Sequence, residues 1–262
     1  MICFLDLHVH TDASDDGRST LAQMAAAARA AGIHAMAVTD HNLCTPVPAE
    51  LEGVLLIPGC EVSTRSGHIT GLFLERPLDL KNLRRDGLPT AQAACEEIHR
   101  CGGLAVLAHP FEKRNAQPCT GAAYDAVEGC NARAEFKVRG ANRMALELAG
   151  QLGLPAVGGS DGHSSREVGN ARTRVEAESC SLAALRQAIL QGNCAPELVR
   201  LTPHIRKGLS QWKKARRKGG VPALARGIAY LAYLSLIHIS KKELSYFRKI
   251  GYNKQEVSVT AE

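Results

Sequence analysis

Through the first 160 residues, short apolar runs that end in polar clusters alternate with Ala- and Leu-rich stretches of helical character. Strands that alternate with helices in this way build a parallel sheet, because each helix covers a sheet face and returns the chain to the edge where it started. Seven runs are predicted as strands, at residues 2–7, 34–39, 54–60, 68–74, 104–108, 125–130 and 155–159. Between and after them, Ser19 or Thr20 is predicted to cap a helix through Ala31, with Gly32 as its stop, and Thr90 a helix to Cys101. Two further helices are predicted at 134–152 and 181–191, ended by Gly153 and Gly192. A parallel barrel or a doubly wound sheet satisfies this pattern, and seven runs suggest a barrel smaller than the usual eight-stranded one.

Apolar residues at 45% and charged residues at 22% exclude a disordered or fibrous chain. The net charge of +6 is unevenly spread: residues 200–262 carry 14 Lys and Arg against 3 Asp and Glu, so this segment holds +11 and residues 1–199 hold −5. The expected organisation is therefore a barrel over 1–199 and a basic, mostly helical extension over 200–262. The extension's uncharged run, 227–240, is shorter than the roughly 20 residues needed to span a bilayer. It reads as a helix packed on the barrel, as a helix lying weakly on an anionic membrane or a partner, or as a nucleic-acid contact. Nine cysteines without a CxxC pair, and no basic-then-apolar leader, predict free thiols and a cytoplasmic location.

The polar residues at the strand ends are the most informative. The first run leads into His8-Val9-His10, the second into Asp40-His41, the third into Glu61, the fifth into His109 and the seventh into Asp161-Gly162-His163. His68 opens the fourth run, and the sixth contains Glu128 and leads to Asn131. In an α/β barrel the strand C-termini share one face, so residues distant in sequence converge there. Side chains alternate along a strand with a period of two, so His8 and His10 point to one side and can share an ion. Imidazoles mixed with carboxylates, with no thiol among them, suit zinc, manganese or iron. So many ligands imply two or three divalent ions. A phosphate substrate would need cations, for which Arg133 is the first candidate and Arg65 and Arg172 follow.

The segments DLHVHTDASDDG, AVTDHN, GCEVST, GHITGLF, LAHPF, EGCNAR and GGSDGHS resemble the successive motifs of the PHP (polymerase and histidinol phosphatase) family. That resemblance implies a distorted (β/α)7 TIM-like barrel, a two- or three-metal centre and hydrolysis of a small phosphorylated substrate. It assigns His8, His10, Glu61 and Asp161 to one ion, Glu61, His68 and His109 to a second, and His41, His163 and either Asp16 or Asp15 to a third, with Asp16 preferred. Asp161, His163 and Arg133 are then expected nearest the reaction, in which a metal-bridging hydroxide attacks phosphorus. Only 40 residues separate His68 from His109, without the insertion carried by relatives that act on nucleotides, and no polymerase module is expected. The competing expectations are a barrel amidohydrolase, disfavoured because no Lys falls at a strand end, and a non-catalytic metal-stabilised module that binds a partner through the basic tail.

Overall fold

All seven predicted runs are strands in the computed structural model, which describes residues 1–239. The first unit, Met1–Thr202, runs β1 (Ile2–Val9), α1 (Leu21–Ala30), β2 (Ala35–Val38), β3 (Glu50–Leu51), β4 (Val54–Thr64), β5 (Gly67–Leu72), α2 (Leu80–Leu83) and α3 (Ala91–Arg100). It continues through β6 (Leu104–Ala108), β7 (Ala126–Asn131), α4 (Ala134–Lys137), α5 (Ala141–Leu152), β8 (Ala156–Gly159), β9 (Ala171–Glu176), α6 (Leu182–Leu190) and β10 (Cys194–Leu198). The strands form one sheet in the order β10-β9-β1-β2-β4-β5-β6-β7-β8, with β3 beside β4.

The sheet is mixed, where uniform βα alternation predicts a parallel one. β5 runs antiparallel to both β4 and β6. Only Arg65 and Ser66 separate β4 from β5, and the Thr64 hydroxyl closes the turn by donating to the Gly67 carbonyl at 2.8 Å. So short a connection can only reverse the chain, whereas a parallel return needs a crossover of a dozen residues or more. β9 and β10, which the alternation did not predict, are antiparallel additions beside β1.

The sheet curls into a nearly closed barrel. Beyond β8, His10 N donates to the Gly162 carbonyl at 2.8 Å, and the buried Asp6 carboxylate accepts from Ser160 N at 2.9 Å and Gly169 N at 2.8 Å. The Thr173 hydroxyl of β9 exchanges two 2.8 Å hydrogen bonds with the backbone of Gly158 in β8. Leu5, Leu7, Ala37, Ile57, Leu72, Val106, Ala126 and Val157 fill the interior, against Leu185 and Ile189 of α6. Met24 and Ala28 of α1 cover Met36, Val38 and Leu56 on the outer face, and α3 covers Val62, Ile69 and Leu107.

Thr20 is the first helix's cap, in a full capping box with Gln23. The helix expected over 134–152 is two helices. Gly140 sits at φ +81° between them, and the Glu135 carboxylate caps the second by accepting from Gly140 N and Asn142 N, each at 2.9 Å.

The second unit, Pro203–Glu262, contains α7 (His204–Lys218) and α8 (Val221–Ile239), joined at Gly219 and Gly220. Leu231 and Leu234 of α8 pack at Gly208, and Trp212 packs at Gly227. The basic cluster of 213–218 lies on α7; the uncharged run expected over 227–240 falls on α8 except for its last residue, which lies outside the described residues. No helix among the described residues is long and apolar enough to cross a membrane.

Candidate metal centre

The nine residues singled out in the sequence meet at one mouth of the barrel. Glu61, fully buried on β4, lies at their middle. One of its oxygens is 2.9 Å from both His68 Nδ1 and His109 Nε2 and 3.5 Å from His8 Nε2. The other is 2.5 Å from His41 Nδ1 and 3.6 Å from His10 Nε2. Asp161 Oδ1 is 3.4 Å from both His10 Nε2 and His163 Nδ1. Asp16 Oδ1 is 3.5 Å from His41 Nε2 and 3.4 Å from His163 Nε2. Asp16 is buried and Asp15 exposed, because the loop after β1 folds tightly back on itself: a Cβ on Gly17 would meet the Thr11 carbonyl oxygen at 1.8 Å.

Two local features aim these side chains. The pairing register of β1 shifts between Asp6 and Val9, so Leu7 packs inside the barrel while Val9 packs outside among the α1 contacts. His8 and His10 are thereby both brought into the mouth. His68 reaches the same rim because β5 runs the opposite way, which puts its start beside the ends of the parallel strands. His109 and Asp161 hold positive φ angles, +26° and +52°, a strain of the kind that concentrates at functional sites.

Four groups of His, Asp and Glu bring ligand atoms within 4.8 Å of one another: His10 with His41 and His163; His8 with His10 and Asp161; Glu61 with His68 and His109; His8 with His109 and Glu128. His8 Nε2 and His10 Nε2 are buried without a well-formed hydrogen bond, as is Glu61 Oε2. Leaving such atoms unsatisfied costs about 1–3 kcal/mol each, and a cation among them would satisfy all three. The donor set and its spacing therefore fit divalent metal ions.

The electrostatics point the same way. Burial pushes the Glu61 carboxyl up, but His68, His41 and His8 outweigh it and hold the group well below the usual range. Asp161, partly exposed, is held well below by His10, His8, His163 and Arg133, and Asp16, which burial would push up, is held down by His163 and His41. Burial lowers His10 to about 3, helped by the charges of His163 and His41. Burial opposes protonation of His41 and His109 too, yet Glu61 pushes them up to about 10 and about 9. Glu61, Asp16 and the partly exposed Asp161 are thus all held as carboxylates by the surrounding imidazoles, the ionised form in which they could bind a cation.

Further residues surround the nine, among them Arg133, which the sequence analysis expected nearest the reaction and which the structure instead ties up in an ion pair. Glu128 Oε1 lies 3.0 Å from His8 Nδ1, while its Oε2 accepts from His109 N at 2.8 Å and Asn131 Nδ2 at 3.1 Å. Since Oε2 already binds two donors, Oε1 is the acceptor for a proton on His8 Nδ1, which turns His8 Nε2 toward Glu61. The only signal in the sequence was its place on a strand like those of the ligands. Asp40 accepts from Thr11 N and from the Ser14 and Thr45 hydroxyls, and so orders the loop that carries Asp16. Arg133 is buried and ion-paired to Glu167, its Nη2 at 2.6 Å from Glu167 Oε2, and Arg18 Nη2 approaches Glu167 Oε1 at 3.6 Å. Of the other arginines considered, Arg172 stacks on Phe4 at 3.8 Å and pairs with Glu197, away from the centre, whereas Arg65 lies at the β4–β5 turn beside His68.

The PHP domain profile matches residues 6–96, which include His8, His10, Asp16, His41, Glu61 and His68, and the PHP-associated profile matches 139–194, which include Asp161 and His163. The chain belongs to the PHP domain family. Solved structures share the PHP architecture at low identity. One is a two-domain protein from Bacteroides vulgatus containing a predicted PHP-like metal-dependent phosphoesterase (TM-score 0.55, 21% identity, covering 76% of this chain and 65% of that one). Others are PsfC from Pseudomonas syringae (0.58, 20%, 83% and 98%) and a lesion-specific endonuclease from Pyrococcus furiosus (0.56, 18%, 73% and 56%). The chain thus spans about two thirds of the Bacteroides protein and little more than half of the endonuclease. No curated protein sequence matches this PHP chain.

Proposed function

We propose that this chain is a metal-dependent phosphoesterase that hydrolyses an ester of a small phosphorylated substrate. The observation that carries the reading is the convergence of buried ligand atoms on Glu61, with His8 Nε2 and His10 Nε2 left without well-formed hydrogen bonds. His8, His10, Glu61 and Asp161 would hold one divalent ion, Glu61, His68 and His109 a second, and His41, His163 and Asp16 a third, with zinc, manganese or iron as the ions. Bound there, such ions would supply Lewis acidity to the phosphate oxygens and to the attacking water.

The chain's own residues do the rest. Glu128 holds His8 in the tautomer that turns Nε2 inward. His163 Nδ1 donates to the Asp161 carbonyl at 2.9 Å, so its Nε2 faces Asp16 as a lone pair. Asp161 Oδ1, the partly exposed edge of the centre, is placed to receive the proton of the attacking water. Arg133, paired to Glu167, acts at a distance by adding positive charge behind Asp161 and Asp16. The family resemblance and the phosphoesterase description of the Bacteroides relative support this reading.

The test is metal analysis of the purified protein, together with hydrolysis of p-nitrophenyl phosphate and bis(p-nitrophenyl) phosphate with added Mn²⁺ or Zn²⁺. Two or three ions per chain with chelator-sensitive turnover are expected, and the preferred ester separates a phosphatase from a phosphodiesterase. Bound metal without turnover on any phosphate ester would overturn the phosphoesterase reading.

A further inference from the structure

Beside the metal centre a cavity of about 210 Å³ opens from His68 and His109. One wall is the β4–β5 turn with Arg65, Ser66 and Gly67, and the other is the loop after β6, from Pro110 to Pro118. Leu107, Ala108 and Pro110 give the walls apolar surface beside His68 and His109, polar surface predominates over the whole lining, and Arg65 and Lys113 bring positive charge to it. The lining acid, Glu112, is engaged by Lys137 at 3.1 Å. Arg65 spends its Nε on the Leu88 carbonyl, and neither Arg65 nor Lys113 forms an ion pair among the described residues. His68, with 31% of its side chain exposed against 1% for His8 and 0% for His10, is the ligand through which this cavity meets the centre.

A phosphate oriented on Glu61's neighbours therefore has this cavity beside it for the group esterified to it. That space is smaller than the roughly 300–1,000 Å³ typical of sites for drug-sized molecules, so it suits a short body. Apolar surface leading to two cations suits a body with carbon near the ester and an anion at its far end. Arg65 and Lys113 are exposed at the mouth of the cleft, where a guanidinium and an ammonium on facing walls can share one carboxylate or phosphate.

We propose that the leaving group occupies this cavity and carries a second anionic group, a carboxylate or a phosphate, which Arg65 and Lys113 recognise. The inference rests on the phosphoesterase reading and adds the substrate class to it. Arg65 and Lys113 are specificity residues, which touch the far end of the substrate and leave the reacting atoms to the ligand cluster.

Binding tests this without requiring turnover. The full chain loaded with Mn²⁺ is titrated calorimetrically with alkylphosphonates and with ω-carboxyalkylphosphonates of matched chain length, in parallel with hydrolysis of phenyl phosphate. At the best chain length the carboxylate is expected to tighten binding by about tenfold, and the Arg65→Gln/Lys113→Gln double variant to abolish the difference. Equal affinity for the two series in the wild type, or a preference that survives in the folded double variant, overturns the proposal. If phenyl phosphate is hydrolysed in that case, the phosphoesterase reading stands and only the substrate class falls. If no phosphonate binds and no ester is cleaved, both fall.

Discussion

Replacing Glu128 by Gln changes one atom of a buried side chain and tests whether the centre depends on the tautomer of His8. In the native arrangement Glu128 Oε1 faces His8 Nδ1 at 3.0 Å, and Oε2 accepts from both His109 N and Asn131 Nδ2. Gln has one oxygen to offer. If its NH₂ faced His109 N and Asn131 Nδ2, donors would oppose donors in a buried place, at about 1–3 kcal/mol for each group left unsatisfied. The oxygen therefore stays with those two donors and the NH₂ turns to His8. His8 Nδ1 must then accept, which moves the imidazole proton to Nε2, the atom 3.5 Å from Glu61. To bind a cation, the ring has to break that hydrogen bond or lose the proton. Loss of such an outer partner costs about 10–100-fold in metal affinity, equivalent to about 1.4–2.7 kcal/mol. Competition for Mn²⁺ or Zn²⁺ against a chromophoric chelator measures it, with thermal unfolding run alongside to show that the fold survives. A folded Glu128→Gln protein that binds metal as tightly as the wild type would refute the tautomer argument.

His8→Ala and Asp161→Ala each remove a proposed ligand of the same ion, one from the buried interior of the cluster and one from its edge, so both are expected to lose most bound metal and all measurable turnover; full activity in either variant would remove that residue from the centre. Gly159→Ala would place a Cβ 2.4 Å from His8 Cβ and 2.7 Å from His8 N. Overpacking of this kind costs about 1–3 kcal/mol, here at the junction of β8 with β1. A lowered melting temperature together with weakened metal binding is the expected result, and unchanged values of both would show that the two strands part freely.

The seven strand runs and eight of the nine cluster residues were legible in the sequence, because each is a local signal: an apolar run with a polar residue where it stops or, for His68, where it starts. Asp16 came from the family resemblance as one of two candidates, and the first helix's cap was narrowed to Ser19 or Thr20. The direction of β5 was not legible, since GHITGL looks the same whichever way it pairs, and the evidence lay in the length of the turn before it. β9 was missed because ARTRVE alternates polar and apolar residues, as an antiparallel strand does, and lacks the apolar run of a buried parallel one. The break at Gly140 was masked by helix-favouring residues on both sides.

The sequence by itself thus determined which chemical groups the chain brings to its site and that strands alternating with helices would gather them, while the mixed direction of the sheet came from the tertiary structure. The tertiary structure decided their aim and their division of labour. It shifted the register of β1 so that both histidines of His8-Val9-His10 face the mouth, selected Asp16 over Asp15 for the interior, turned Glu128 onto His8, and paired Arg133 with Glu167. Identity and spacing are properties of neighbouring residues. Partner choice among buried charges is settled by which groups the closed barrel brings within about 3–4 Å in a place where water cannot compete.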